Sequence, residues 1–134
     1  MTSKDRDLAF ERVPLGTRPA LIVVDMAVGF TSVNSPLGGD FDEQVNAANA
    51  LVTAFADHAL PVVFTRVVYE GDEQSVFRRH LPDLNILTPN SRWVDIDPRF
   101  VQSPTSWVLD KTGPSAFFNT ALNLQLRDKG VDSV

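Results

Sequence analysis

The sequence predicts an α/β fold, in which an open parallel β-sheet lies between two layers of helix. Three observations carry that expectation. The run Ala20-Leu21-Ile22-Val23-Val24 is continuously apolar and stops at Asp25, the pattern of a strand buried on both faces. A helical stripe follows it, and a second apolar strand opens at Pro61. Strand, helix and strand within about fifty residues form a βαβ unit, whose crossover is right-handed almost without exception.

The elements follow in order. Arg18-Pro19 precedes the first strand, where a proline costs no ladder bond. A loop rich in Ser, Asn, Pro and Gly occupies residues 31–40. Val45, Ala48, Leu51, Val52, Phe55 and Ala59 then recur at three- and four-residue steps, which makes one apolar helical stripe. Asp40 or Asp42 is placed to cap the first turn, with acidic side chains suiting the helix dipole. Pro61 ends that helix and begins a strand over residues 62–69.

Residues 70–103 are less regular, with Pro82, Pro89 and Pro98, the basic triplet Arg78-Arg79-His80, and Trp93. A short helix is expected over 73–80, then surface loop and a brief extended piece near Trp93. Long loops of this kind often cover the ligand crevice of α/β domains. A third strand is expected over 106–111, a turn at Thr112-Gly113-Pro114-Ser115, and a helix built on Ala121, Leu122, Leu124 and Leu126. Cations in its last turn and Gly130 just beyond form the stop signal. Residues 131–134 read as the opening of a fourth strand. The expected architecture is a three-layer α/β/α, Rossmann-like parallel sheet, cut short before or within that strand. An N-terminal arm over 1–17 would precede a single domain over 18–134, with no internal repeat or linker.

Composition narrows the partners. A chain of 134 residues suits one core. The net charge of −5 argues against nucleic acid, because neutralising phosphates needs an excess of Lys and Arg. No apolar run approaches bilayer length, and residues 1–12 lack the apolar middle of a secretory signal, so no membrane partner and a cytoplasmic location are expected. The absence of cysteine excludes disulfides and thiolate metal sites.

Asp25 and Lys111 each end an apolar strand. In open parallel sheets ligands bind outside the carboxyl ends of strands, where strand order reverses. These two residues of opposite sign therefore have one place to meet. Taken singly, an aspartate there is as readily a turn former and a lysine a solvated edge charge.

The surrounding words are more specific. Arg18-Pro-Ala-Leu-Ile-Val-Val-Asp25-Met26, with Phe30 following, resembles the opening motif of the isochorismatase-like hydrolases. Lys111-Thr-Gly-Pro-Ser-Ala-Phe-Phe-Asn-Thr-Ala-Leu resembles their second motif. Leu126-Arg-Asp-Lys-Gly-Val-Asp-Ser-Val134 resembles the helix and strand entry ahead of their third. The loop Ser35-Pro36-Leu37-Gly38 leans toward the N-carbamoylsarcosine amidase-like branch.

That resemblance implies a Cys-Asp-Lys triad cleaving a C–N bond of a small amide, ureido or carbamoyl compound through a thioester, without cofactor. Asp25 would be the acid and base and Lys111 would support the thiolate. The family's cysteine and oxyanion amides lie on the segment after the fourth strand, which these residues do not include. This chain alone is therefore expected to be inactive, with a complementing C-terminal segment or a homo-oligomeric arrangement as its partner. The alternatives are a noncatalytic or oligomerisation piece of the same fold, or ether hydrolysis of the isochorismatase type. A signalling receiver domain fits poorly, since Asp25 lacks an acidic neighbour and the second strand ends in Tyr69-Glu70.

Other candidates each carry two readings. By the resemblance Phe30 lines a substrate pocket; as an isolated aromatic it is packing. Arg66 reaches the crevice to pair a substrate carboxylate, or forms a surface salt bridge. Trp93 is part of a pocket wall or covers a core edge. His58 and His80 are scattered and lack metal-ligand spacing, so no metal is expected. Ser115 has no histidine base in a recognisable word and reads as a helix cap. Gly38-Gly39 lacks the strand-to-helix context of a phosphate loop.

Overall fold

A computed structural model describes residues 14–71 and 75–134. Its strands are β1 (Leu21–Val23), β2 (Val62–Val67) and β3 (Ser106–Lys111), all parallel, in the order β1-β2-β3. Leu21 pairs with Val62, and Val62 with Ser106, so the three strands start level and finish toward one end. The helices are α1 (Val28–Thr31), α2 (Asp42–Asp57), α3 (Val76–His80) and α4 (Leu122–Asp128), with 3₁₀ turns at Pro82–Ile86 and Arg92–Val94.

Alternation along the strands builds two cores, one per face. Ala20, Val63 and Leu109 face α4, meeting Ala116, Leu122 and Leu126. Val23, Val62 and Phe64 face α2, meeting Val45, Val52 and Phe100. Phe64 and Phe100 stand edge to face, their ring centres 5.6 Å apart. The three-layer arrangement expected from the sequence is the one observed. A third cluster, Val67, Val68, Tyr69, Leu84, Leu87 and Val94, closes over the carboxyl ends of the strands with Phe30, Leu37 and Trp93 against it. The irregular stretch after β2 thus forms a roof on the crevice end of the sheet.

The segment after α4 pairs with the sheet by a single parallel bridge, Pro19 to Ser133. Ala20 N donates to Ser133 O at 2.9 Å, while the next amide, Leu21 N, donates to Pro61 O. Successive strand amides point to opposite edges, so residue 133 lies across β1 from β2. Strand order therefore reverses at β1. Asp132 ties this junction by accepting from Thr17 N and Arg18 N at 2.7 and 3.0 Å, and those amides lower its pKa.

Several local expectations need correction. β1 and β2 are shorter than 20–24 and 62–69: β1 ends ahead of the left-handed turn at Asp25, and after Val68 the chain turns from β3 to the roof, where Tyr69 N donates to Leu87 O. Phe41, not an aspartate, holds the N-cap position of α2; Asp40 just ahead of it accepts from the first helical amide, Asp42 N, at 3.2 Å, and Asp42 sits inside the first turn, paired with Arg99. Leu51, counted in the apolar stripe, is exposed. α2 stops at Asp57, and Ala59 turns left-handed (φ 53°) before Pro61 is reached. α3 begins at Val76 behind a Ser75 cap; positions 73 and 74 of the expected helix lie outside the described residues. The piece near Trp93 is a 3₁₀ turn rather than extended. Ser115 accepts from Phe117 N and so caps a turn, since α4 begins seven residues later at Leu122. Of the expected arm, residues 1–13 lie outside the described residues, and 14–17 are exposed coil.

Candidate active site

Asp25 follows β1 at the reversal point. Strict alternation would send its side chain toward α2, but the backbone is left-handed there (φ 58°) and redirects it. Its carboxylate meets side chains belonging to the α4 face. Lys111, the last residue of β3, reaches across so that Nζ lies 3.2 Å from Asp25 Oδ2. The ammonium also donates to Pro114 O at 2.7 Å, which draws the turn after β3 back over it. The lysine side chain has no exposure, whereas the aspartate side chain retains 31%. The cation is thus a buried support, and the carboxylate is the member that faces outward.

Thr65, fully buried at the centre of β2, completes the group. Its hydroxyl accepts from Asp25 N at 3.2 Å and donates to Asp25 Oδ1 at 3.3 Å. One hydroxyl therefore fixes both the turn and the orientation of the carboxylate. The sequence reading missed Thr65, because a threonine inside a strand is ordinary β-sheet composition.

Beside Asp25 lies a recess of about 250 Å³, lined by Val24, Met26, Phe30, Thr31, Leu37 and Phe41. α1 is anchored by Val28 N donating to Asp95 O, by the Ala27–Ile96 bridge, and by Asp97. Asp97 is almost fully buried and accepts from Thr31 Oγ1 at 2.6 Å and from Arg99 Nε and Nη2 at 3.0 and 2.8 Å. The Arg99 bonds, with Thr31 adding to them, hold its carboxyl at about 2 despite the opposing effect of burial. Gly29 lets α1 approach the roof closely: a Cβ there would sit 2.8 Å from Trp93 O.

Of the five residues singled out from sequence, three gather at or beside this place. Asp25 and Lys111 are in contact, and Phe30 lines the recess next to them. Arg66 is elsewhere. It shares the α2 face with Asp110, whose carboxylate it holds through Nε at 2.5 Å and Nη2 at 3.3 Å. The side chain stands on the opposite side of the sheet from Thr65 and Lys111, and the salt-bridge reading describes it. Trp93 packs in the roof cluster with Arg92 stacked 4.2 Å from its ring centre, and it is not among the residues lining the recess. His58 ends α2, with Nδ1 2.8 Å from Ala54 O, and His80 ends α3. Among the described residues, no three His, Cys, Asp or Glu side chains gather as metal ligands. No helix there is long and apolar enough to cross a membrane.

Fold and site together define an open α/β domain with an acid–amine pair at the strand-order reversal. The chain belongs to the isochorismatase domain family, whose sequence model matches residues 19–134. It is 27% identical over 128 residues to a maleamate amidohydrolase from Pseudomonas putida, covering 92% of this chain and 60% of that protein. It is 26% identical over 131 residues to an N-carbamoylsarcosine amidase from an Arthrobacter species, covering 92% of this chain and 49% of that one. A solved cysteine hydrolase from Pseudomonas syringae pv. phaseolicola superposes with a TM-score of 0.81 at 27% identity, covering 90% of this chain and 59% of that one. The superfamily expected from the motifs is confirmed, and the second relative agrees with the branch suggested by the loop. These residues span about half to three-fifths of the relatives' lengths.

Proposed function

We propose that this domain supplies the acid–base half of a hydrolase that cleaves a C–N bond in a small amide, ureido or carbamoyl compound. The observation that carries this reading is the 3.2 Å contact between a buried Lys111 and an outward-facing Asp25 beside a recess. Both curated relatives are named as amidases or amidohydrolases. The nucleophile is a thiol from sequence outside these residues, since they contain no cysteine.

In this mechanism Asp25 takes the thiol proton, and sulfur attacks the carbonyl carbon. The C–N bond breaks as Asp25 returns that proton to the departing amine, leaving a thioester. Water then adds to the thioester with Asp25 as base, and the thiol leaves with the proton back. Lys111 stabilises the thiolate and holds the carboxylate in place, while Thr65 fixes its turn.

The test is ammonia release from small primary amides and ureido acids by the complete gene product. Turnover of one of these series supports the reading, and none across all of them overturns it. The absence of cysteine favours one competitor, a noncatalytic piece of the same fold, which predicts no turnover at all.

A further inference from the structure

We infer that Asp97 is a positioning residue for the reaction: its buried carboxylate locks the chain that leaves Asp25 and so holds the Asp25 side chain against Lys111; this rests on the proposed hydrolase reading and adds a residue to it. Asp25 is left-handed (φ 58°), a conformation that persists where the surrounding structure enforces it. Thr65 holds the amide that enters this turn. The chain leaving it is held by residues 95–97. Asp97 N donates to Met26 O at 2.9 Å, Ala27 bridges Ile96, and Val28 N donates to Asp95 O at 2.8 Å.

Those are backbone contacts, and the Asp97 side chain fastens them. Its Oδ2 accepts from Thr31 Oγ1 at 2.6 Å on one side and from Arg99 Nη2 at 2.8 Å on the other. Its Oδ1 accepts from Arg99 N and Nε, each at 3.0 Å. Thr31 N donates in turn to Ala27 O at 3.1 Å, two residues past Asp25. Arg99 carries the tie onward to Asp42 in the first turn of α2, through Nη1 at 2.6 Å. Asp97 is only 4% exposed, so parting it from these donors would strand a buried negative charge. The consequence for Asp25 is geometric. Were residues 26–31 to relax, an extended backbone at Asp25 would turn its side chain to the α2 face, away from Thr65 and Lys111. A misplacement of about 1 Å can cost a reaction about a hundredfold.

The test is made on the complete gene product, with the amide it turns over best. Asp97→Asn keeps the size but sets an amide where Arg99 takes a carboxylate. It should lower kcat about tenfold or more and leave KM within about twofold. Thr31→Val, which removes one bond to that carboxylate, should lower kcat in the same direction, and Thr31→Ser should restore it. Val52→Ala, in the buried face of α2, weakens the fold outside this network and should keep kcat near wild type. Crystals of Asp97→Asn and Thr31→Val should show Asp25 drawn away from Lys111. The inference is overturned by a kcat within about twofold of wild type in Asp97→Asn, by a loss carried by KM, or by an equal fall in Val52→Ala. Equal turnover by Thr31→Val and Thr31→Ser overturns it too, as does an intact Asp25–Lys111 contact in the variant crystals. Should Asp97→Asn fail to fold, the Thr31 pair decides. A complete gene product that turns over no amide removes the hydrolase reading, and the crystals then decide the positioning by themselves.

Discussion

Lys111 Nζ lies 3.2 Å from Asp25 Oδ2 across 86 residues of sequence, and only the aspartate is open to solvent. Breaking such a pair from one side strands a buried charge, whereas replacing the lysine by an apolar side chain of similar length removes the charge that needs a partner. Asp25→Ala should therefore cost about 2–3 kcal/mol, and Lys111→Met less. The double variant should be more stable than Asp25→Ala alone. Urea unfolding of the three variants checks this, and additive losses would contradict it.

Thr65 is predicted to be a positioning residue. Thr65→Val keeps the shape but removes both bonds to Asp25, so stability should fall by about 1–2 kcal/mol. Turnover of the complete protein should fall about tenfold or more, and Thr65→Ser should restore most of it. A loss of stability with turnover unchanged would make the residue structural only.

Asp97 should govern acid sensitivity. Its carboxyl is pushed from 3.8 to about 2 in the fold, chiefly by hydrogen bonds from Arg99. The unfolded chain therefore takes up this proton first as pH falls. The contribution, about 2 kcal/mol, is full above pH ~4 and disappears progressively toward pH ~2. Asp97→Asn should weaken the protein near neutrality and flatten the acid limb of its stability profile. Urea midpoints across that pH interval measure both effects.

Arg66 should be dispensable for chemistry. Its pairing with Asp110 is partly exposed, on the face of the sheet opposite Thr65 and Lys111. Arg66→Met should cost under about 1 kcal/mol and change turnover less than about twofold. A large rise in KM with an intact fold would return Arg66 to the substrate site.

The fold was legible because its signals are local. The runs at 20–24 and 62–69 announce buried strands, and the order of the motifs locates Asp25 and Lys111 at strand ends. What escaped was relational. Arg66 looks available until a strand 44 residues away brings Asp110 beside it. The left-handed turn that swings Asp25 onto Thr65 leaves no mark in composition, since aspartate tolerates that conformation without a neighbouring glycine. The roof over 75–103 resisted reading for a similar reason: its short turns are held by tertiary burial of Leu84, Leu87 and Val94 rather than by periodicity.

The most direct measurement is turnover by the complete gene product with Asp25→Asn, a change that preserves size while removing the proton carrier. The account predicts a fall of about a hundredfold to ten-thousandfold on the best amide substrate, with circular dichroism unchanged. Near-normal turnover from that variant would contradict it.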